Sequence, residues 1–352
     1  MTTRPIPIAA TVIAAFLTAV AAYFVFTSGD AVDDVAPFEP VTRGDTPILV
    51  TVAEGDIPQN IGETLEEAGV IESATRFQVL VAFMGYDQLL QAGEYEFTEG
   101  TPTLSAIYRM RRGEVSSSAV TVIEGWRFEE IADAAAEQGI PRDEFIAAAS
   151  APASFAIDFL AGLPPGASLE GYLYPATYSV GASDSAAELL TEMLQAFDEN
   201  VPLGVRESAS QVGLTFHQVV TLASIIEREA QVADERPIMA QVFLSRLELG
   251  IPLEADPTVQ YAVAEDPTSV AEFGYWKVGL TEEDLLTDSL YNTYVYAELP
   301  PGPIANPRLE SILAVLNPSD TNYLYFVARP DGSHAFAETF EEHLQNVEEF
   351  QQ

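Results

Sequence analysis

The chain has 352 residues, enough for more than one domain at roughly 100 to 200 residues each. Its 15 basic residues face 54 acidic ones, a net charge of −39 with Lys277 the only lysine. No nucleic-acid partner is expected, because a phosphate backbone needs a basic footprint, and the acidity reads as solubility or a high-salt habit. With no cysteine and three scattered histidines, His217, His334 and His343, thiolate chemistry is excluded and neither a metal nor any other cofactor is expected.

Residues 1–5 form a short tail with Arg4, followed by IPIAATVIAAFLTAVAAYFVF at 6–26. This uncharged stretch, at about 1.5 Å per residue, spans the roughly 30 Å of a bilayer's hydrocarbon. It ends on Tyr23, Phe24 and Phe26 without a small-residue cleavage site, so a retained transmembrane helix is expected rather than a signal peptide. Arg4 before it and Asp30, Asp33 and Asp34 after it predict a single-pass protein of the inner (cytoplasmic) membrane with its bulk outside the cytoplasm. Residues 27–45 lack periodicity and read as a tether.

Residues 46–113 read as a small module. ILVTVAEG (48–55) is strand-like, and in the next stretch Ile57, Ile61, Leu65 and Ala68 recur at helical spacing before Gly69. A second helix is predicted over 74–84 with Phe77, Leu80 and Val81 on one face, then a strand over 92–100 and an added helix over 104–113. This β-α-α-β order resembles the LysM-like glycan-binding module.

Residues 114–352 form the second predicted domain. Strand-like AVTVIEGW (119–126) opens it; helices follow at 128–138, 142–149, 185–200, 216–230 and 235–249; strand character returns at 322–330 before a last helix around 338–350. The class is α+β: a transmembrane helix, a small module, and a mostly helical domain with flanking strands.

In TLASIIEREA (221–230), Val219, Leu222, Ala223, Ile226 and Ala230 share one helical face, and Glu227 and Glu229 lie on its opposite borders. A carboxyl against apolar walls is pushed up in pKa and stays protonated near neutral pH, as a general acid must. Periodicity does not choose between the two. Tyr291, Asn292, Thr293 and Tyr294 combine flat faces with donors suited to pyranose rings and acetamido groups. Asp256, Pro257 and Thr258 predict a turn or helix start, with Gln260 and Tyr261 lining the cleft, and PPGPIANP (300–307) predicts a rigid loop.

LASIIEREA resembles the active-site helix of the YceG-like, or MltG, family of endolytic transglycosylases. LEGYLYPATY (169–178), LEADPTVQYA (253–262), DSLYNTYVYAELPPGPIANP (288–307) and YLYFVARPDGSHAFAETFEEH (323–343) resemble it in the same order, as does VIEGW (122–126). The resemblance implies that Glu227, the first glutamate of the motif, is the single catalytic acid and base. It would cut the MurNAc-GlcNAc β-1,4 bond of peptidoglycan glycan strands and leave 1,6-anhydro-MurNAc ends. It also implies action on nascent strands beside the peptidoglycan synthases, limiting glycan length. The family commonly has Gln at Glu254, Pro at Leu290, Gly at Glu298 and Arg308, and Ser at Ala337; none of these departures is expected to touch the catalytic carboxyl. His334 and His343 match family positions, with structural roles expected. Two rival readings are a glycoside hydrolase with a second carboxylate, Glu229, Glu254 or Asp256, and a non-catalytic glycan-binding scaffold.

Overall fold

A computed structural model of the chain describes residues 47–351 apart from 114, 116, 117, 182 and 183. The predicted tail, the transmembrane helix at 6–26 and the tether at 27–45 lie outside the described residues. Among those described, no single helix is long and apolar enough to cross a membrane. The chain divides into two compact units, Met1–Ser117 and Ser118–Gln352.

In the first unit, β1 (Ile48–Val52) leads to α1 (Pro58–Glu67), α2 (Ala74–Met84), β2 (Gly93–Phe97) and α3 (Thr103–Arg112). The two strands pair antiparallel with Ile48 opposite Phe97. Alternation turns Val50, Val52, Tyr95 and Phe97 inward, where they meet Leu65, Phe77, Val81, Ile107 and Met110 in a core of the unit's own. Ser73 caps α2 by accepting from the Arg76 N–H, and Gly85 ends that helix in the left-handed region. The predicted β-α-α-β order and its added helix are thus present, with strands shorter than the alternating stretches.

The second unit runs β3 (Ser118–Thr121), α4 (Phe128–Glu137), α5 (Arg142–Ala149), β4 (Thr177–Val180), α6 (Ala186–Asn200), α7 (Leu203–Glu207), α8 (Phe216–Glu229), α9 (Arg236–Leu249), α10 (Asp256–Val263), α11 (Pro267–Phe273), α12 (Leu309–Leu316), β5 (Tyr325–Ala328), β6 (His334–Ala337) and α13 (Phe340–Phe350). Only two-stranded sheets occur among the described residues, and in this unit they are β3 with β4 and β5 with β6, both antiparallel. The strand predicted over 119–126 stops at Thr121 because the chain turns at Gly125, whose φ is +79°. β4 and β6 went unpredicted: each has four residues, and their pairing partners supply the missing signal.

Helix α8 is the axis of this unit. It opens on a capping box, Thr215 accepting from the Gln218 N–H while Gln218 returns the bond, and it packs against α9, α10 and α12. Every residue from Val219 to Glu227 is buried. A helix predicted to show one apolar face is therefore enclosed on all sides, and Thr221 and Ser224 survive inside by donating to the His217 and Thr221 carbonyls at 2.8 and 2.7 Å.

Candidate active site

Residues two apart on a helix diverge by about 200°, so Glu227 and Glu229 leave the last turn of α8 on opposite sides. Their surroundings differ accordingly. The Glu227 side chain is only 2% exposed and its carboxylate is spent on α12. Oε1 accepts from Arg308 Nε at 2.8 Å, while Oε2 accepts from the Arg308 backbone N–H at 3.1 Å and from Ser311 Oγ at 2.7 Å. Arg308 is the N-cap residue of α12 and makes no side-chain cap itself. Glu227 thus supplies that cap from another helix, placing negative charge at a positive helix end. Arg308 does touch this carboxyl, contrary to the expectation that no departure from the family pattern would.

Glu229 instead lines a cleft of about 410 Å³ bounded by Arg246, Leu253, Glu254, Asp256 and Tyr294 on one side and by Phe326 to Ala328, His334, His343 and Val347 on the other. Removal from water pushes its pKa up to about 8, and the negative charge of Asp256 adds to the shift. It therefore carries a proton at neutral pH. Asp256, the first residue of α10, accepts a hydrogen bond from Tyr294 Oη at 2.7 Å.

The loop presenting Asp256 is held under strain. Glu254 is the one non-glycine among the described residues with positive φ, +51°, a conformation that costs on the order of 1 kcal/mol or more. Arg246, rising from α9, fixes it: Nη1 donates to the carbonyls of Pro252 and Leu253 at 2.8 and 2.9 Å and to the Glu254 carboxylate at 3.0 Å, while Nε donates to the Leu324 carbonyl at 2.7 Å. Beneath it the buried hydroxyls of Thr258 and Thr293 lie 2.8 Å apart, and the Ala255 N–H donates to Thr293 Oγ1 at 3.1 Å.

Of the residues predicted to bind substrate, only Tyr294 lines this cleft. Asn292 and Thr293 are buried and braced into the fold: Asn292 Nδ2 donates to the Leu285 and Thr287 carbonyls, and its Oδ1 accepts from the Tyr294 N–H at 3.0 Å. They position Tyr294 rather than face a sugar. Gln260 Nε2 donates to the Lys277 carbonyl at 2.9 Å. Tyr261 and Tyr291 gather elsewhere, their ring centroids 4.6 Å apart, with the Arg127 guanidinium 3.9 Å from the Tyr261 ring centre.

That second cluster holds Glu170, a buried carboxyl absent from the predicted set. Both its oxygens accept from the Phe128 N–H, and Oε1 also accepts from Asn306 Nδ2 at 3.0 Å. Burial pushes its pKa well above the ordinary range. Asn306 in turn bonds the Leu173 N–H and the Trp126 carbonyl, tying three loops together. The approach is close at Gly171, φ +87°, where a Cβ would stand 2.5 Å from Pro303 Cγ. Among the described residues no group of three or more His, Asp or Glu side chains is arranged to hold a metal ion.

Comparison with known proteins gives one consistent neighbourhood. Residues 50–349 match the YceG-like family. An endolytic murein transglycosylase of Bacillus subtilis (strain 168) is 31% identical over 326 residues, 89% of this chain and 87% of that protein. A protein of the same name from Streptococcus pneumoniae (strain ATCC BAA-255 / R6) is 30% identical over 329 residues, and there the match covers 86% of this chain but 58% of the relative's length. A crystal structure of a yceG-like protein of Listeria monocytogenes superposes with a TM-score of 0.58 at 32% identity, covering 85% of this chain and 98% of that one.

Proposed function

Because this chain belongs to the YceG-like family, we propose that it is a lytic transglycosylase acting on peptidoglycan glycan strands, with Glu229 as its acid and base. The single observation that carries the residue assignment is the cleft: a carboxyl held protonated up to about pH 8, open to a cavity and backed by an Asp256–Tyr294 pair. The relatives' names support the reaction class.

In this reading Glu229 gives its proton to the glycosidic oxygen between N-acetylmuramic acid and N-acetylglucosamine as positive charge grows at C1. Asp256 supplies nearby negative charge. The 6-hydroxyl of the same sugar then attacks C1, and the ionised Glu229 takes its proton, closing a 1,6-anhydro ring. The nucleophile is tethered by the substrate itself, so effective concentration replaces a second side chain. Glu227, the residue implied by resemblance alone, keeps the role of capping α12 because its lone pairs already face Arg308 and Ser311.

A second reading has one observation in its favour: Asp256 shares the cleft with Glu229, the arrangement a two-carboxylate hydrolase requires. Mass spectrometry of products from purified glycan strands separates the two. Anhydro ends support the transglycosylase, whereas reducing ends from water attack would replace it with the hydrolase, and absence of cleavage would leave a glycan-binding scaffold.

The uncharged stretch at 6–26 supports anchoring in the cytoplasmic membrane with both units outside the cytoplasm. The β-α-α-β order of the first unit supports a LysM-like, glycan-holding role for it. Such a protein would work on nascent strands beside the synthases that make them.

A further inference from the structure

The cleft around Glu229 is rich in hydrogen-bond acceptors and poor in free donors. Glu229, Glu254 and Asp256 all bring carboxyl groups to it. Nε and Nη1 of Arg246 are spent on backbone carbonyls and Glu254, the Tyr294 hydroxyl is given to Asp256, and His334 Nδ1 is paired with Glu235 at 2.7 Å. Apart from the protonated Glu229 carboxyl, which the reaction itself uses, and Nη2 of Arg246, the side-chain donors that remain along the wall are the ring of His343 and the side-chain amide of Gln351.

His343 sits on α13 with its ring stacked on Tyr325, centroids 5.4 Å apart and planes 25° apart. Its Nδ1 is closed to solvent and has no hydrogen-bond partner. A proton there would be a buried, unpaired N–H, a costly state. Burial and the nearby charge of Arg246 also hold the ring below its ordinary pKa, so it is neutral. The proton then belongs on Nε2, the ring's remaining polar atom.

Resting on the transglycosylase reading, we propose that His343 contacts the substrate by donating Nε2–H to the carbonyl oxygen of an N-acetyl group, and so makes the cleft selective for N-acetylated sugars. Glycan carbonyls are acceptors, and a carboxylate-lined cleft repels them unless a donor is provided.

The test compares the full-length wild type with His343→Phe, which keeps the stacking on Tyr325, and His343→Gln, which keeps a donor. Each is measured for strand binding and for kcat and KM on N-acetylated and chemically de-N-acetylated glycan strands. On acetylated strands His343→Phe is expected to raise KM roughly three- to tenfold, the effect of one neutral hydrogen bond, with kcat nearly unchanged. His343→Gln should recover part of this. On de-N-acetylated strands the three proteins should be alike. An unchanged KM for His343→Phe, or an equal penalty on both substrates, overturns the proposal. If the wild type binds acetylated strands through His343 but releases no anhydro product, the contact stands and the catalytic reading falls.

Discussion

At the scale of single residues, the two glutamates of α8 make opposite predictions. Glu229→Gln keeps the shape of the side chain but can neither give nor take a proton, so anhydro-product formation should fall by at least about a hundredfold, and up to ten-thousandfold, at an unchanged fold. Glu227→Gln should instead lower the melting temperature and spare much of the turnover per folded molecule, because its carboxylate serves α12. The reverse pattern in rate assays on the two purified variants would return the catalytic role to Glu227. Glu229 also sets a pH dependence. Its folded pKa, about 8, lies above the ordinary 4.5, so the native state holds a proton that the unfolded chain releases between those values. The contribution to stability is full below about pH 4.5 and declines as pH rises to about 8. Thermal melts across that range should show the wild type losing stability with rising pH while Glu229→Gln loses less, and the rate should fall above about pH 8 as the acid ionises.

At the scale of elements, the cleft depends on two buried knots. The Thr258–Thr293 pair joins the start of α10 to the segment before Tyr294, with no water-exposed alternative for either hydroxyl. Thr293→Val leaves the buried Ala255 N–H without its acceptor, while the Thr258 hydroxyl keeps the Ala255 carbonyl and the residue-293 N–H, and should cost about 1 to 3 kcal/mol by chemical denaturation. Activity per folded molecule should also drop, since Asp256 and Tyr294 are positioned from the same knot. A variant with native stability would show that the knot does not brace the loop. Arg246 is the second: it joins α9 to the strained Glu254 turn and to Leu324 ahead of β5, thereby holding both walls of the cleft.

At the scale of the whole molecule, each unit carries its own core: Leu65, Phe77, Tyr95 and Ile107 in the first, and the α8-centred cluster with Leu190, Phe197, Ile226 and Phe243 in the second. Independent folding of the second unit follows, because a core that needs no residue from the other loses little on separation. A fragment of residues 118–352 is expected to melt cooperatively with native helix content by circular dichroism; a non-cooperative melt would contradict this. Membrane attachment belongs to this scale too. Deleting residues 1–27 should move the protein from the membrane fraction to the soluble one, and persistence in the membrane fraction would sink the anchoring role of 6–26.

By itself the sequence determined the α+β class, the long helices and the pair of glutamates on α8, because these rest on local signals: periodicity over several turns and capping residues. It did not reveal β4, β6 or the short helices α7, α11 and α12, and of α10 it marked only a turn or helix start at Asp256, since such short elements are stabilised by partners far along the chain. Periodicity left the two glutamates equivalent, and only the resemblance favoured Glu227. Two positions apart on one helix, they share composition and apolar neighbours in sequence, yet tertiary packing brings the N-terminus of α12 against Glu227 and leaves an open, carboxylate-lined cleft before Glu229. Likewise Asn292 and Thr293 carry donors suited to a sugar, but only the three-dimensional arrangement decided that those donors point inward to build the loop and that Tyr294 alone of the four lines the cleft. Chemistry was legible residue by residue; which groups face solvent and which face protein is fixed by long-range packing that no local pattern encodes.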